Sequence, residues 1–409
     1  MDSKQLPVHP SLEQYKKQAK DLLKSAKSGD RETLQLTLQR IKKDHPRFGR
    51  LADLELQGAK LALADAQLVI AREHGFESWA KFAKHIQGLT RQNSSVSKFE
   101  AAVDAVVTCD LAKLDQLLRE NPELVRERST FLHHATLLHY VGANGVENYR
   151  QKTPKNAVQV AEVLLRAGAD VNAVADIYGG SDTLGLAATS IWPFLAGVQD
   201  ALIDILLEYG AKLNSERLVN ACLANGRGQA AEHLAKRGAP LDLEAAAGVG
   251  RLDLVKTFFK DGTLGTNATH KQMASGFVWA CEYGQTNVVE FLLDQGLKVE
   301  ATPHGISGLH WAAYTARVDI VKLLLKKKAP VELRDGRHQG TPLGWAFHAW
   351  LDSLPESGDY YEVVALLVAA GATVNSALPA DPRRRNLLIE KMRGDAHMTA
   401  ALKREMPAQ

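Results

Sequence analysis

The side chains best suited to chemistry are histidines, and they cluster once. The segment FLHHATLLHY, residues 131–140, holds His133, His134 and His139. A metal ion needs ligands that converge. Adjacent histidines on a helix point apart, and His139 lies five or six residues further on, away from their faces. No metal site is expected there. The glycines of DIYGGSD (176–182) are not followed by the lysine a phosphate loop requires, so this stretch reads as a turn. Cys109, Cys222 and Cys281 are odd in number, far apart and each set in an apolar helical stretch. That pattern predicts reduced core thiols rather than disulfides or a zinc knuckle. Lys326–Lys328 closes a helical stretch, where cations suit the dipole, and Arg383–Arg385 opens another; both read as solvated faces.

The totals narrow the classes further. The 409 residues carry 45% hydrophobic and 24% charged side chains, within the ordinary globular range. Fifty basic residues against 47 acidic ones leave a net charge of +3, which supplies no broad field for nucleic acid or anionic lipid. The N-terminal stretch MDSKQLPVHPSLEQYKKQAKDLL lacks the apolar run of a secretory signal, and no window of about 18 apolar residues offers a membrane span. The expectation is a cytoplasmic monomer without cofactor, metal, nucleic-acid or membrane partner. Aromatic residues make up only 6% of the chain, so their positions carry information.

Those positions are set by a repeated unit. A glycine-centred turn recurs as AGADVNA (167–173), YGAKLNS (209–215), RGAPLDL (237–243) and AGATVNS (370–376), with weaker copies QGLKVEA (295–301) and KKAPVEL (327–333). Each follows a helix with an apolar back, such as AEVLLR, LIDILLE, VVEFLLD or IVKLLLK, and each of those follows a shorter alanine-rich helix, such as LLHYVGANG, FVWACEYG or LHWAAYTA. Glycine after the second helix takes the left-handed conformation that other residues resist. Alanine lets paired helices approach closely. A single pair cannot bury its own apolar face, so the pairs must stack.

The segments resemble ankyrin repeats, whose pattern opens with TPLHxAA and closes with LLLxxGADVN. Thr341-Pro342-Leu343 and Leu309-His310-Trp311-Ala312-Ala313 match the opening, and Gly168-Ala169-Asp170-Val171-Asn172 matches the close. The resemblance implies an all-α ankyrin-repeat solenoid of about eight repeats over residues 97–380, the first being FEAAVDAVVTCDLAKLDQLLRENPELV and an eroded one LEAAAGVGRLDLVKTFFKDG. Residues 1–90 read as helices. Ser11 and Gln14 suit a capping box, Leu12, Tyr15, Ala19, Leu22 and Ala26 share a face, and a helix stopped at Gly75 precedes one with Trp79, Phe82 and Ile86 on one side. This resembles a helical leader found before ankyrin arrays in bacterial proteins and is expected to be an N-terminal cap. Residues 381–409 are expected to be a C-terminal capping helix and tail.

The chain departs from the pattern in two ways. The turn-to-turn gaps from Gly168 to Gly210 and from Lys328 to Gly371 are 42 and 43 residues, against about 33 in a standard unit. The surplus lies near 191–198 and 351–360, and a third insertion lies near 146–156, all between the two helices of a unit. The second departure is aromatic. In an ankyrin unit the position after the TPLH histidine faces the concave side, and here it is occupied by Tyr140, Trp279, Trp311 and Trp345, with Asn144, Glu282, Tyr283, Tyr314 and His348 at the next concave positions. Helix stacking would space the tryptophans roughly 10 Å apart. The expected function is non-catalytic recognition: a groove that holds a partner protein, or a small ligand, with Trp279, Trp311 and Trp345 as anchors. The alternative is an enzyme using the groove as a pocket, with Glu282 and His348 as acid and base and Asn148, Arg150 and Tyr178 at the rim. Two repeats separate Glu282 from His348, so no direct pairing is expected.

Overall fold

Every recurring turn solves the same problem, how to end a helix whose last apolar residue must stay buried. In the computed structural model, which describes residues 3–28, 30–213, 217–352 and 359–402, Gly168, Gly210, Gly238, Gly296 and Gly371 take φ of 94°, 88°, 91°, 84° and 99°. At the first turn the Gly168 N–H donates to the Leu165 carbonyl and the Ala169 N–H to the Leu164 carbonyl, both at 3.0 Å. The same two bonds close the turns at Gly210, Gly238, Gly296 and Gly371. This satisfies carbonyls that a helix end leaves open. The leucine at the accepting position is in each case fully buried: Leu164, Leu206, Leu234, Leu292 and Leu367. Lys328 occupies the glycine position of one further copy at φ 63°, with the same pair of bonds and with Leu324 fully buried.

The chain forms two compact units, Met1–Lys212 and Leu213–Gln409. The first begins with helices α1 (Leu12–Ser25), α2 (Arg31–Asp44), α3 (Asp53–Gly58), α4 (Leu63–Glu73) and α5 (Trp79–Thr90). Tyr15, Ala19 and Leu22 of α1 meet Leu38, Ile41, Val69, Ile70, Phe82 and Ile86 in one apolar cluster, with Trp79 partly buried against it. The Ser11 hydroxyl accepts from the Gln14 N–H to start α1, and Gly75 at φ 84° stops α4. The cluster also takes in Phe131, whose ring centroid lies 4.5 Å from that of Phe76. Three helix pairs follow: α6 (Ser95–Thr108) with α7 (Leu111–Glu120), α8 (Leu137–Val141) with α9 (Ala157–Arg166), and α10 (Thr183–Thr189) with α12 (Gln199–Glu208). The first helices of the pairs pack on one another as one layer and the second helices as another. The short helix α11 (Ile191–Leu195) is the insertion between α10 and α12.

The second unit holds five pairs: α13 (Arg217–Ala224) with α14 (Gly228–Lys236), α15 (Leu243–Gly248) with α16 (Leu252–Thr257), α17 (His270–Tyr283) with α18 (Thr286–Asp294), α19 (Gly308–Tyr314) with α20 (Val318–Lys326), and α21 (Pro342–Leu351) with α22 (Tyr360–Ala369). The inner helices α13, α15, α17, α19 and α21 stack in that order, and α16, α18, α20 and α22 stack behind them. After the shortened α16, a hairpin of β1 (Phe259–Lys260) and β2 (Thr263–Leu264) replaces the helical turn. Asp261 and Gly262 form its two-residue loop, at φ 50° and 73°, as a tight hairpin of this twist requires. The hairpin was not expected. At the end, α23 (Val374–Ala377) packs on α21, and α24 (Pro382–Gly394) and α25 (Ala396–Ala401) bury Leu388, Met392, Met398 and Leu402. Residues 353–358 of the insertion expected near 351–360 and residues 403–409 of the expected tail lie outside the described residues.

The architecture is an all-α repeat solenoid with eight helix pairs among the described residues. All three cysteines are buried and none is in a disulfide. No described helix is long and apolar enough to cross a membrane.

The turn makes a quantitative prediction. A side chain at Gly371 would meet no atom within 4 Å, so Gly371→Ala should lower the unfolding free energy only by the left-handed backbone cost, about 1 kcal/mol. Lys328→Gly should raise it by about 0.5 kcal/mol, relief of strain being offset in part by the entropy of glycine in the unfolded chain. Urea denaturation of the two variants checks both.

Candidate functional site

Three of the four tryptophans of the second unit, Trp279, Trp311 and Trp345, sit on successive inner helices, and their rings touch. Thr341 caps α21 by accepting from the Gly344 N–H, with Pro342 at the first helical position, and this start places Trp345 one turn in. The Trp279 and Trp311 centroids are 6.4 Å apart and those of Trp311 and Trp345 5.2 Å, the latter edge to face at 77°. The centroid spacing is shorter than the roughly 10 Å expected from helix stacking. Tyr314 fills the angle between Trp311 and Trp345 at 5.9 and 5.6 Å, and His348 follows at 6.2 Å from Tyr314. Such edge-to-face pairs contribute about 0.5–1.5 kcal/mol each beyond their area.

The members of this ladder are not equally available. Trp279 is buried, 6% exposed, stacked on His304, and its Nε1 donates to Glu244 Oε1 at 2.8 Å. Trp345 is half-buried, and its Nε1 donates to Asp335 Oδ2 at 3.1 Å. Asp335 is fully buried, yet the N–H groups of His338, Arg337 and Gly340 together with the Trp345 indole hold its carboxyl below the usual range against the opposing effect of burial. Trp311 and Tyr314 are half-buried. Trp311 Nε1 and the Tyr314 hydroxyl have no hydrogen-bond partner among the described residues, which sets them apart from the other two indoles.

Several expected site residues serve other roles. Tyr283 donates its hydroxyl to the Leu223 carbonyl at 2.6 Å, tying α17 to α13. Glu282 is buried and its Oε2 has no hydrogen-bond partner; burial pushes its carboxyl up to about 8, so it is protonated at neutral pH. His348 is exposed and its Nδ1 lies 2.6 Å from Asp352 and 3.0 Å from Arg384 Nη2. Glu282 and His348 therefore face different partners, and no acid–base couple forms between them.

In the first unit Tyr140 is 1% exposed, so it presents no surface to a groove. The insertion at 146–156 folds back over it, and its hydroxyl donates to Glu147 Oε1 at 3.4 Å. Asn144 is half-buried and clamps α10, donating to Thr189 Oγ1 at 3.1 Å and accepting from the Tyr178 hydroxyl at 2.9 Å. The histidines meet separate partners, and His133 and His134 lie in the turn before α8 rather than on a helix, with His134 at φ 46°. His133 Nε2 lies 3.5 Å from Glu147, His134 Nδ1 2.8 Å from Asp176, and His139 Nδ1 2.7 Å from the Thr136 hydroxyl. His310 likewise bridges Ser307 Oγ and the Gly340 carbonyl. DIYGGSD is a turn closed by an Ala175–Ser181 bridge. Among the described residues no group of three or more His, Cys, Asp or Glu side chains is placed to hold a metal ion.

Beside Tyr140 lies a charged cluster that the sequence signalled only through Arg150. Arg150 Nη1 meets Glu100 Oε2 at 2.7 Å and Glu147 Oε1 at 3.2 Å, while Nη2 meets Asp104 Oδ1 at 2.9 Å. Glu100 and Asp104 stand one turn apart on α6 and so share a face. Glu100, Glu147 and Arg150 are buried. A cavity of about 520 Å³ opens beside them, lined also by His85, Tyr149 and the stretch from Gln5 to Pro10. In the sequence Glu100 and Glu147 look like solvated charges of a helix and a loop. The one hint was the insertion that carries Glu147 and Arg150.

Two outcomes test these placements. An acid whose folded-state pKa is raised keeps its proton in the folded chain where the unfolded chain has lost it. Stability should therefore fall as pH climbs from the unfolded value towards about 8 and be flat above. Glu282→Gln should remove that part of the fall, seen as a smaller difference in unfolding free energy between pH 5 and pH 8.5 than in the wild type. Arg150→Met leaves buried carboxylates unpaired and should cost about 3 kcal/mol or more in the same assay.

Comparison with known proteins adds the following. The family model for ankyrin repeats matches three copies, over residues 243–335 and 277–377. Among curated proteins, palmitoyltransferase Hip14 of Drosophila melanogaster is 35% identical over 115 residues, 27% of this chain and 15% of that protein. The E3 ubiquitin-protein ligase hecd-1 of Caenorhabditis elegans is 44% identical over 57 residues, 14% of this chain and 2% of that protein. Palmitoyltransferase AKR1 of Lachancea kluyveri is 32% identical over 78 residues, 18% of this chain and 11% of that protein. The chain thus spans a small part of each relative. Among solved structures, the human ASB11 ankyrin repeat domain aligns over 66% of this chain and 97% of its own, at 20% identity and a TM-score of 0.35. Residues 243–377 carry ankyrin repeats, a kind of module that mediates contacts between proteins.

Proposed function

We propose that the inner-helix face of the second unit captures a segment of a partner protein, without catalysis. The observation that carries this reading is the continuous ring ladder in which Trp311 and Tyr314 keep both an exposed ring surface and an unpartnered polar group. Half-buried indole and phenol groups bury much area at little entropic cost, because two torsions fix each ring. Trp311 Nε1 suits a carbonyl of the bound segment, and an apolar side chain of that segment packs over Trp311 and Trp345. His348, with Asp352 and Arg384, forms a polar end to the strip. Trp279 and Glu282 support the ladder from within. A small apolar ligand would also find the rings, but the strip runs over three inner helices, a length that favours an extended chain.

The non-catalytic reading rests on the site's chemistry. Glu282 is shielded and His348 Nδ1 is paired with Asp352 and Arg384, so these two residues do not supply a general acid and base within reach of one substrate atom.

Selection of a displayed random peptide library against the full chain tests the proposal. Selected peptides should lose at least about 30-fold in affinity for Trp311→Ala, a hot-spot loss of roughly 2 kcal/mol, while helical circular dichroism stays unchanged. Trp311→Phe should retain most of the ring contact and lose only the hydrogen bond. Selected peptides that bind Trp311→Ala as tightly as the wild type would overturn the reading.

A further inference from the structure

The cavity of the first unit is built unlike a solvent-filled crevice. Three carboxylates, Glu100, Asp104 and Glu147, meet a single guanidinium, Arg150. Lys152 also lines the cavity, but it is exposed and its ammonium forms no ion pair with them. The neighbouring imidazole of His85 is buried, with Nδ1 2.7 Å from the Thr130 hydroxyl, and burial pushes it down to about 4, so it stays neutral. The buried carboxylates are thus in formal excess over the buried cation.

Glu147, which is not part of the cavity lining, also has His133 Nε2 at 3.5 Å, so within the lining the excess falls on Glu100. Arg150 engages Glu100 through Oε2, and Glu100 Oε1 has no hydrogen-bond partner among the described residues. Burial, with the Glu147 and Asp104 charges adding to it, pushes the Glu100 carboxyl up to about 7 although the guanidinium opposes the shift. Asp104, whose side chain is 67% exposed, stands at the mouth one turn away on the same face of α6. Much of the remaining wall is apolar: Leu6, Pro7, Val8 and Pro10 from the segment before α1, with Leu89, Phe131 and, on α6 itself, Val107. That segment is pinned at its start by a 2.7 Å bond from the Lys4 N–H to the Glu73 carbonyl.

The chemistry of the lining selects the ligand. Arg150 already serves three carboxylates and the other cation of the lining, Lys152, is exposed and hydrated, so an anion finds no buried cation to receive it. A bare metal ion finds too few converging ligands, as no such group exists among the described residues. A cation with an apolar body fits both parts of the lining, and the volume of about 520 Å³ is ample for a small organic molecule. We propose that this cavity binds a protonated primary amine with an apolar body, its ammonium between Glu100 and Asp104 and its body against Leu6, Leu89 and Val107. The bound ammonium completes the charge balance around Arg150 and holds Glu100 ionised. This site is independent of the ring ladder and stands or falls without it.

Isothermal titration of the full chain with phenethylamine at pH 7, in two buffers of different ionisation enthalpy, tests the proposal against 2-phenylethanol as neutral counterpart and phenylacetate as anionic one. The amine should bind at least roughly tenfold more tightly than the alcohol, phenylacetate should not bind, and binding should release a fraction of a proton as Glu100 ionises. Asp104→Asn, a change at the exposed mouth, should weaken the amine about fivefold or more while circular dichroism stays that of the wild type. Glu100→Gln should abolish the proton release. The proposal is overturned if the alcohol binds as well as the amine, if Asp104→Asn leaves affinity unchanged in a folded protein, or if no heat of binding is seen at about 5 mM amine, well above the affinity expected of a pocket this size.

Discussion

The left-handed cap that follows six of the eight outer helices is the constraint on which the remaining structure depends. It reverses the chain within two residues, satisfies two open carbonyls and leaves the preceding leucine wholly inside. No hairpin of this size could bury that leucine alone, so each cap commits its unit to a neighbour. The result is a framework in which variation is pushed to the crests between paired helices. There the chain carries α11 and the insertion that brings Glu147 and Arg150 to the first unit's cavity.

The same framework yields two surfaces of opposite character. Three successive inner helices of the second unit, α17, α19 and α21, each place a tryptophan at the same position, so a contact made in one layer is continued in the next. The cavity in the first unit is the reverse case. It comes from a departure from the repeat, in which an insertion from one pair reaches back to a helix of the pair before it. The ladder is periodic, open and apolar. The cavity is singular, half-enclosed and charged. A molecule that suits one has little use for the other.

How far the sequence could be read follows from this difference. The turns, the helix pairs and the tryptophan register were legible because each is a local pattern copied several times. Tyr140 and Trp279 illustrate the limit: both occupy the expected position, yet Tyr140 is covered by the insertion and Trp279 lies under His304 with its N–H held by Glu244. Burial depends on what long-range neighbours do, and the repeat pattern is silent about them. Glu100 and Arg150 are 50 residues apart, a pairing that no periodicity announces. The hairpin at Asp261-Gly262 is a different sort of miss. Its two-residue loop signal was present in the sequence, and the apolar helical stretch before it masked the change.

Trp279, Trp311 and Trp345 form an unbroken series of rings with centroids no more than 6.4 Å apart. Indoles at such separations exchange excitation far faster than they emit, so light absorbed by any of the three is pooled. The imidazole of His304 stacks 5.3 Å from Trp279 at the shielded end of the series. The protein therefore carries a built-in optical antenna, in which a disturbance at the accessible ring is reported by the emission of all three.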